Sequence, residues 1–179
     1  MRTATPTLDR PTSAIALGSV VQTIATVPSV DDLAARARRR LPKLIFDFID
    51  GAAGAERAAA RNKSDLAEIS LMPRVLADTS SSDLSVQFLG RPYGLPFGIA
   101  PMGMCNLAWP GTDQMLADAA KDRNIPLGVS TATSTDLETM LASSEGRAWF
   151  QLYVTGATDR AFALVDRAAA AGYEVLILT

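Results

Sequence analysis

Pro96-Phe97-Gly98-Ile99-Ala100, Pro126-Leu127-Gly128-Val129-Ser130, Ala148-Trp149-Phe150-Gln151-Leu152-Tyr153-Val154 and Glu174-Val175-Leu176-Ile177-Leu178-Thr179 are the four apolar runs that decide the fold. Each reads as a buried strand, predicted over Phe97–Ala100, Leu127–Ser130, Trp149–Val154 and Val175–Thr179. A helical stretch follows each of the first three. The first helix runs from about Thr112 to Arg123, the second opens on the capping box Thr135-Asp136-Leu137-Glu138, and the third spans Thr158 to Ala171 with Gly172 at its C-terminus.

Strands alternating with helices of this length imply parallel pairing and right-handed crossovers. The rhythm predicts an α/β fold, the N-terminal half of a TIM (β/α)8 barrel truncated after its fourth strand; a complete barrel needs roughly 250 residues. Barrel chemistry sits where strands end. Those ends carry Pro101-Met102-Gly103, Ser130-Thr131, Gln151 with Tyr153, and Thr179. A doubly wound sheet shows the same alternation and stays an alternative. The turn after its first strand usually carries G-x-G-x-x-G, and Pro101-Met102-Gly103-Met104 lacks it, which argues against an NAD-type site.

The remainder of the chain divides into an extension over residues 1–28, expected to be disordered, and a cap over residues 29–95 that precedes the barrel segment 96–179. Residues 1–28 are rich in Ser, Thr, Ala and Val, which also leaves room for a transit peptide. In the cap, Ser29-Val30-Asp31-Asp32 opens one helix and Pro42 starts a second, which ends at Gly51. Ala52–Ala60 is predicted to continue as a helix, and Asp65–Arg74 to descend into a loop. A hairpin follows, with Leu84–Leu89 alternating, Gly90-Arg91-Pro92 turning and Tyr93 beginning the return; it is expected to close the N-terminal end of the barrel.

Apolar content of 48%, charge of 20% and a net charge of −2 describe an ordinary globular chain and argue against binding nucleic acid through phosphate neutralisation. The run Arg36, Arg38, Arg39, Arg40 reads as a solvated helix face. Cys105 is the only cysteine, so there is no intrachain disulfide and no metal-ligand cluster. No stretch reaches the ~18 apolar residues of a membrane span. The chain is read as cytoplasmic, with a membrane-peripheral or organellar place left open. It contains no histidine, the commonest general base near neutral pH.

The ordered set Leu41-Pro42-Lys43, Phe46-Asp47-Phe48-Ile49-Asp50-Gly51, Asn62, Pro73-Arg74, Ile99-Ala100-Pro101-Met102-Gly103, Ser130-Thr131, Trp149–Val154 and Leu176–Thr179 resembles the FMN-dependent 2-hydroxy acid dehydrogenases and oxidases. The likeness covers about residues 29–179. Around Leu107-Ala108-Trp109-Pro110 it is nearest to the mandelate dehydrogenase branch, where many other members carry His at the place of Trp109. The resemblance implies FMN as cofactor, with the backbone of Pro101, Met102 and Gly103 beside the flavin's central ring. It also implies Ser130 or Thr131, with Gln151, at the pyrimidine edge, and Thr179 as a further flavin-side hydroxyl. Tyr153 corresponds to a tyrosine facing the substrate. Gln151 and Tyr153, two apart on one strand, point the same way. Phe48 falls where the family has a second, carboxylate-binding tyrosine and cannot donate that hydrogen bond; with Trp109 it favours an apolar, arylated substrate such as mandelate. Gly103 is more like the dehydrogenases than the oxidases, which often carry Ala there.

The resemblance places the family's catalytic His, its arginine clamp and its phosphate site on later strands, absent from these residues. The expected activity is oxidation of a mandelate- or lactate-like 2-hydroxy acid to the 2-oxo acid. This chain would supply one wall of the site and, alone, be inactive. A missing C-terminal half-barrel, in the same or another chain, is the expected partner, and a homo-oligomer the expected complete state. The rival is a non-catalytic half-barrel acting as an assembly module, whose open edge strands would make the isolated chain aggregation-prone or oligomeric.

Overall fold

The computed structural model describes residues 27, 29–154, 156 and 158–179. The extension expected over residues 1–28 lies outside the described residues apart from Val27. The chain divides into two compact units, with the division between Ala52 and Ala53.

The N-terminal unit holds α1 (Val30–Arg40) and α2 (Lys43–Asp50). Ser29 caps α1: its Oγ accepts from the Asp32 amide at 3.2 Å and donates to Asp32 Oδ2 at 2.6 Å. Asp31 and Asp32 occupy the first turn and Arg38, Arg39 and Arg40 the last, each complementing the helix dipole. The arginine run is therefore a helix terminus, and Arg38 also lies 5.8 Å from the centre of the buried Phe46 ring. Pro42 and Gly51 bound α2 as its composition demands.

In the second unit the first helix, α3, is Arg57–Ala67 rather than Ala52–Ala60. Gly54 and Glu56 adopt positive φ of 60° and 58° and hold the preceding residues in turns. The Ala58-Ala59-Ala60 run and the Arg61–Asp65 pair then carry the helix past Asp65, where a loop was expected. The hairpin consists of β1 (Val86–Phe88) and β2 (Arg91–Tyr93). Its two-residue turn is Leu89-Gly90, both at positive φ (49° and 76°), the twist a tight hairpin needs. Arg91 and Pro92 consequently lie in the returning strand and not in the turn.

The remaining elements are β3 (Ile99–Met102), α4 (Cys105–Ala108), α5 (Thr112–Arg123), β4 (Leu127–Ser130), α6 (Leu137–Ser143), β5 (Ala148–Leu152), α7 (Thr158–Ala171) and β6 (Leu176–Leu178). The strands form one parallel sheet in the order β3-β4-β5-β6. Alternate residues Leu127, Val129, Ala148, Phe150 and Leu152 join Ala117, Ala120, Leu137, Met140, Ala161 and Ala168 of the helices in a single core. Sequential strand order with the long helices on one face describes the first four strands of a β/α barrel; a doubly wound sheet reverses its order and carries helices on both faces.

The other face presents Gly128, Trp149 and Ile177 to a cavity of about 570 Å3 shared with Val86, Phe88 and Tyr93 of the hairpin. Trp149 Nε1 donates to Tyr93 Oη at 3.2 Å, and its ring lies 5.6 Å from Phe88. Arg91 donates to the Gly146 carbonyl at 2.6 Å and pairs with Glu174 at 3.1 Å. Gly146 and Glu174 precede β5 and β6, so the hairpin sits at the N-terminal ends of the strands, opposite the rim where they finish.

The cap of α6 lies one residue later than the capping box suggests. Asp136 Oδ1 accepts from the Thr139 amide at 2.8 Å, and Glu138 instead forms a two-pronged pair with Arg167 at 2.8 and 2.7 Å. Thr135 is drawn away because its hydroxyl donates to Asp113 at 2.9 Å.

Two expectations follow from the packing. A Cβ on Gly128 would fall 2.6 Å from both the Cδ and the nitrogen of Pro101. Gly128→Ala should therefore cost about 1–3 kcal/mol in urea unfolding, and an unchanged midpoint would contradict the contact. Burial pushes the Tyr173 hydroxyl, which donates to the Leu137 carbonyl at 2.8 Å, well above its ordinary 10.0. Because the folded state holds this proton more tightly, its contribution is complete below about pH 10 and declines as pH rises beyond it. Tyr173→Phe should flatten that alkaline decline in a series of melts; a decline as steep as in the parent would refute the assignment.

Candidate functional site

A parallel ladder leaves donors and acceptors unpaired where its strands stop, and here Thr131 takes them up. Its amide donates to the Gln151 carbonyl at 2.9 Å. Its hydroxyl donates to the same carbonyl at 2.6 Å and accepts from the Tyr153 amide at 3.0 Å. Both functions of that hydroxyl are thereby engaged with backbone.

Ser130, one residue earlier, points to the opposite face. It is buried and accepts from the Ala132 amide at 3.1 Å, while its own proton has no acceptor among the described residues. Ser130 and Gln151 are partners in the β4–β5 register, side by side on the inner face. Gln151 is 1% exposed. Its Nε2 donates to Thr179 Oγ1 at 2.5 Å, and its Oε1 is buried with no partner among the described residues. The Thr179 amide in turn continues the β5–β6 ladder by donating to the Leu152 carbonyl at 3.3 Å.

The loop after β3 joins the same rim. The Met104 amide donates to the Ala132 carbonyl at 2.9 Å, and a Cβ on Gly103 would lie 2.9 Å from the Ala132 methyl. Pro101, Met102 and Gly103 thus stand against the loop that follows Ser130 and Thr131. Tyr153 lies just past β5, half-exposed, its backbone pinned by Thr131. Phe48 belongs to the N-terminal unit and is 58% exposed. Of the groups expected at the site, the structure brings Pro101–Gly103, Ser130, Thr131, Gln151, Tyr153 and Thr179 to one rim.

Two features were missed in the sequence. Cys105 and Asn106 lie in the short helix α4, and Asp113 is buried behind it. Burial first, and then the Asp113 charge, push the Cys105 thiol above its ordinary 9.0, which leaves it protonated near neutral pH and a poor nucleophile. An Asp in a first helical turn reads from sequence as a partner of the helix dipole, and nothing in its neighbours signals burial.

Removing the Thr131 hydroxyl leaves the Tyr153 amide to water and the Gln151 carbonyl to the Thr131 amide alone. Thr131→Val should cost about 0.5–1.5 kcal/mol in denaturant unfolding, with Thr131→Ser recovering most of it. Equal losses for Val and Ser would show that the methyl, not the hydroxyl, carries the effect.

Over residues 37–179 the chain matches the FMN-dependent dehydrogenase family. It is 42% identical over 155 residues to the L-lactate dehydrogenase of Caulobacter vibrioides (strain NA1000 / CB15N), covering 86% of this chain and 40% of that one. With the L-lactate dehydrogenase of Actinobacillus pleuropneumoniae serotype 5b it shares 36% over 155 residues, at the same coverage. Among solved structures, a mandelate oxidase superimposes with a TM-score of 0.75 at 35% identity, over 84% of this chain and 43% of that one. A soluble mutant of the membrane-associated (S)-mandelate dehydrogenase from Pseudomonas putida gives 0.75 at 34%, over 83% and 42%. The chain spans about two fifths of the length of the curated relatives it matches. Family match and barrel strands agree, and the chain belongs to the FMN-dependent dehydrogenases.

Proposed function

We propose that this chain forms the N-terminal wall of the active site of an enzyme that oxidises a mandelate- or lactate-like 2-hydroxy acid to the 2-oxo acid with FMN. The observation that carries the reading is the buried Oε1 of Gln151, which has no partner among the described residues, beside the Ser130 hydroxyl, whose proton has no acceptor among them. An unsatisfied buried acceptor is costly unless a ligand supplies the donor. An isoalloxazine offers a matching edge, an imide that alternates carbonyl, N–H and carbonyl. Ser130 would donate to a carbonyl and Gln151 accept from the N–H, with Thr179 holding the Gln151 amide in orientation through its 2.5 Å contact.

Thr131 has a different part. With its hydroxyl engaged by the Gln151 carbonyl and the Tyr153 amide, it sets the register of the two flavin-side residues and does not itself reach the ring. The Pro101–Gly103 backbone would lie along the flavin's central region, where side chains are least tolerated. When bound, FMN supplies the two-electron acceptor for the hydrogen leaving the substrate's α-carbon. Tyr153, placed two residues beyond Gln151 at the mouth, would orient the substrate. Residues 1–179 contain no imidazole, and the acceptor of the hydroxyl proton is assigned to a residue outside them.

In the full-length protein, titration with FMN followed by quenching of flavin fluorescence should show saturable uptake. Gln151→Leu should weaken it about tenfold or more. Tyr153→Phe should slow turnover of a 2-hydroxy acid more than it weakens FMN binding. Unchanged FMN affinity in Gln151→Leu, or a well-folded protein that takes up no flavin, would overturn the reading in favour of a non-catalytic assembly module.

A further inference from the structure

Asp113 is 3% exposed, and no step of the proposed reaction uses it. It lies in the first turn of α5, where the helix terminus favours an anion. One oxygen, Oδ2, accepts from Asn106 Nδ2 at 3.0 Å, Thr135 Oγ1 at 2.9 Å and Thr133 Oγ1 at 3.3 Å. Asn106 completes the cluster by accepting from the Asp113 amide at 3.2 Å through its Oδ1. The donors come from two places. Asn106 belongs to α4, directly after Pro101-Met102-Gly103; Thr133 and Thr135 belong to the loop directly after Ser130-Thr131.

The same two loops are joined once more, by the Met104 amide on the Ala132 carbonyl at 2.9 Å. Bonds to a carboxylate are about twice as strong as neutral ones. Three neutral donors converge on one anionic oxygen, and the neutral oxygen of an amide in that place would accept the same three bonds without the charge that strengthens them.

We propose that Asp113 is a positioning residue: it locks the loop after β3 to the loop after β4, and so sets the spacing between the Met102–Gly103 backbone and the Ser130 hydroxyl. This rests on the flavin reading of the rim. A residue that merely stabilised the fold would lower the melting temperature and leave the affinity of the folded protein for FMN unchanged.

The test uses the full-length protein in four forms: parent, Asp113→Asn, Thr135→Val and, as a direct-contact control, Gln151→Leu. Thr135→Val removes a single donor at nearly constant volume and keeps the test open should Asp113→Asn fail to fold. At a temperature where all are folded, Asp113→Asn should weaken FMN binding about tenfold and alter the visible circular dichroism of the bound flavin. Thr135→Val should do the same to a smaller extent. Amide exchange should quicken at Met104 and in residues 132–136, and not in the hairpin over residues 86–93.

If Gln151→Leu weakens FMN while neither Asp113→Asn nor Thr135→Val does, the positioning role is overturned and the flavin reading stands. If Gln151→Leu is also without effect, or the parent takes up no FMN, the flavin reading falls. Exchange then decides the lock alone: faster exchange confined to the two loops supports it, and unaltered rates overturn it.

Discussion

The hydroxyl of Thr131 is the group on which the rest of the rim depends. Where β4 and β5 stop, the Gln151 carbonyl takes its last ladder bond from the Thr131 amide, and the Tyr153 amide has no further strand to join. Thr131 meets both with one oxygen. That commitment sorts the polar residues around it. Thr131 becomes part of the frame, Tyr153 acquires a fixed backbone from which its ring projects, and the Gln151 side chain is released from any duty to its own strand. Ser130, on the alternate face, keeps a proton to offer. Two adjacent hydroxyl residues of nearly identical chemistry thus bond differently, Ser130 as the last residue of β4 and Thr131 as the first of the turn after it.

The inner face of the sheet changes character over one residue pair. At the hairpin end Trp149 meets Tyr93 and Phe88 in an aromatic group closed by a single polar contact. Two residues on, Gln151 and Thr179 form a buried polar pair. The helix-facing side shows no such gradient: Phe150 and Leu152 pack against small residues, Ala161 and Ala168 among them, which let the helices approach closely. A site at the polar end therefore rests on an apolar floor. The close approach of Pro101 to Gly128 bends β3 past its neighbour, as the shifted register between Ile99 and Met102 records.

The four strands and their parallel order were legible because parallel strands leave near-continuous apolar runs; the expectation that all four are buried holds for β4 and β5 only, since β3 and β6 lie at the edges of the sheet and are half-exposed. Their limits were less so. Pro101 and Met102 extend β3 beyond Ala100, since a proline that lacks an N–H is tolerated at the bulged border of a sheet. The N-cap of α6 was misplaced by one residue because Thr135, a good cap by composition, is held by Asp113, a partner distant in sequence. The same long-range network explains why α4 was missed, a four-residue helix with too few positions to show a period. At the rim, the gathering of Pro101–Gly103, Ser130, Thr131, Gln151, Tyr153 and Thr179 was legible from their places at the strand ends. The division of labour between Ser130 and Thr131 was not, because it follows from where β5 ends against β4.

Gly103 shows how local packing constrains a chemical inference. In sequence, the absence of a side chain there reads as room for a flavin and as a mark of dehydrogenases over oxidases. In the structure the added methyl of an alanine would lie 2.9 Å from the Ala132 methyl, closer than ordinary carbon contacts allow. The neighbouring loop thus already crowds this position, whatever lies on its other side. Ala132 has little freedom to retreat: its carbonyl holds Met104, its amide is held by Ser130, and Thr133 beside it is bonded to Asp113. An alanine at residue 103 would have to displace a loop tethered at three points. Any change in the flavin's surroundings produced by that substitution would therefore combine the new methyl with a shift of Ser130.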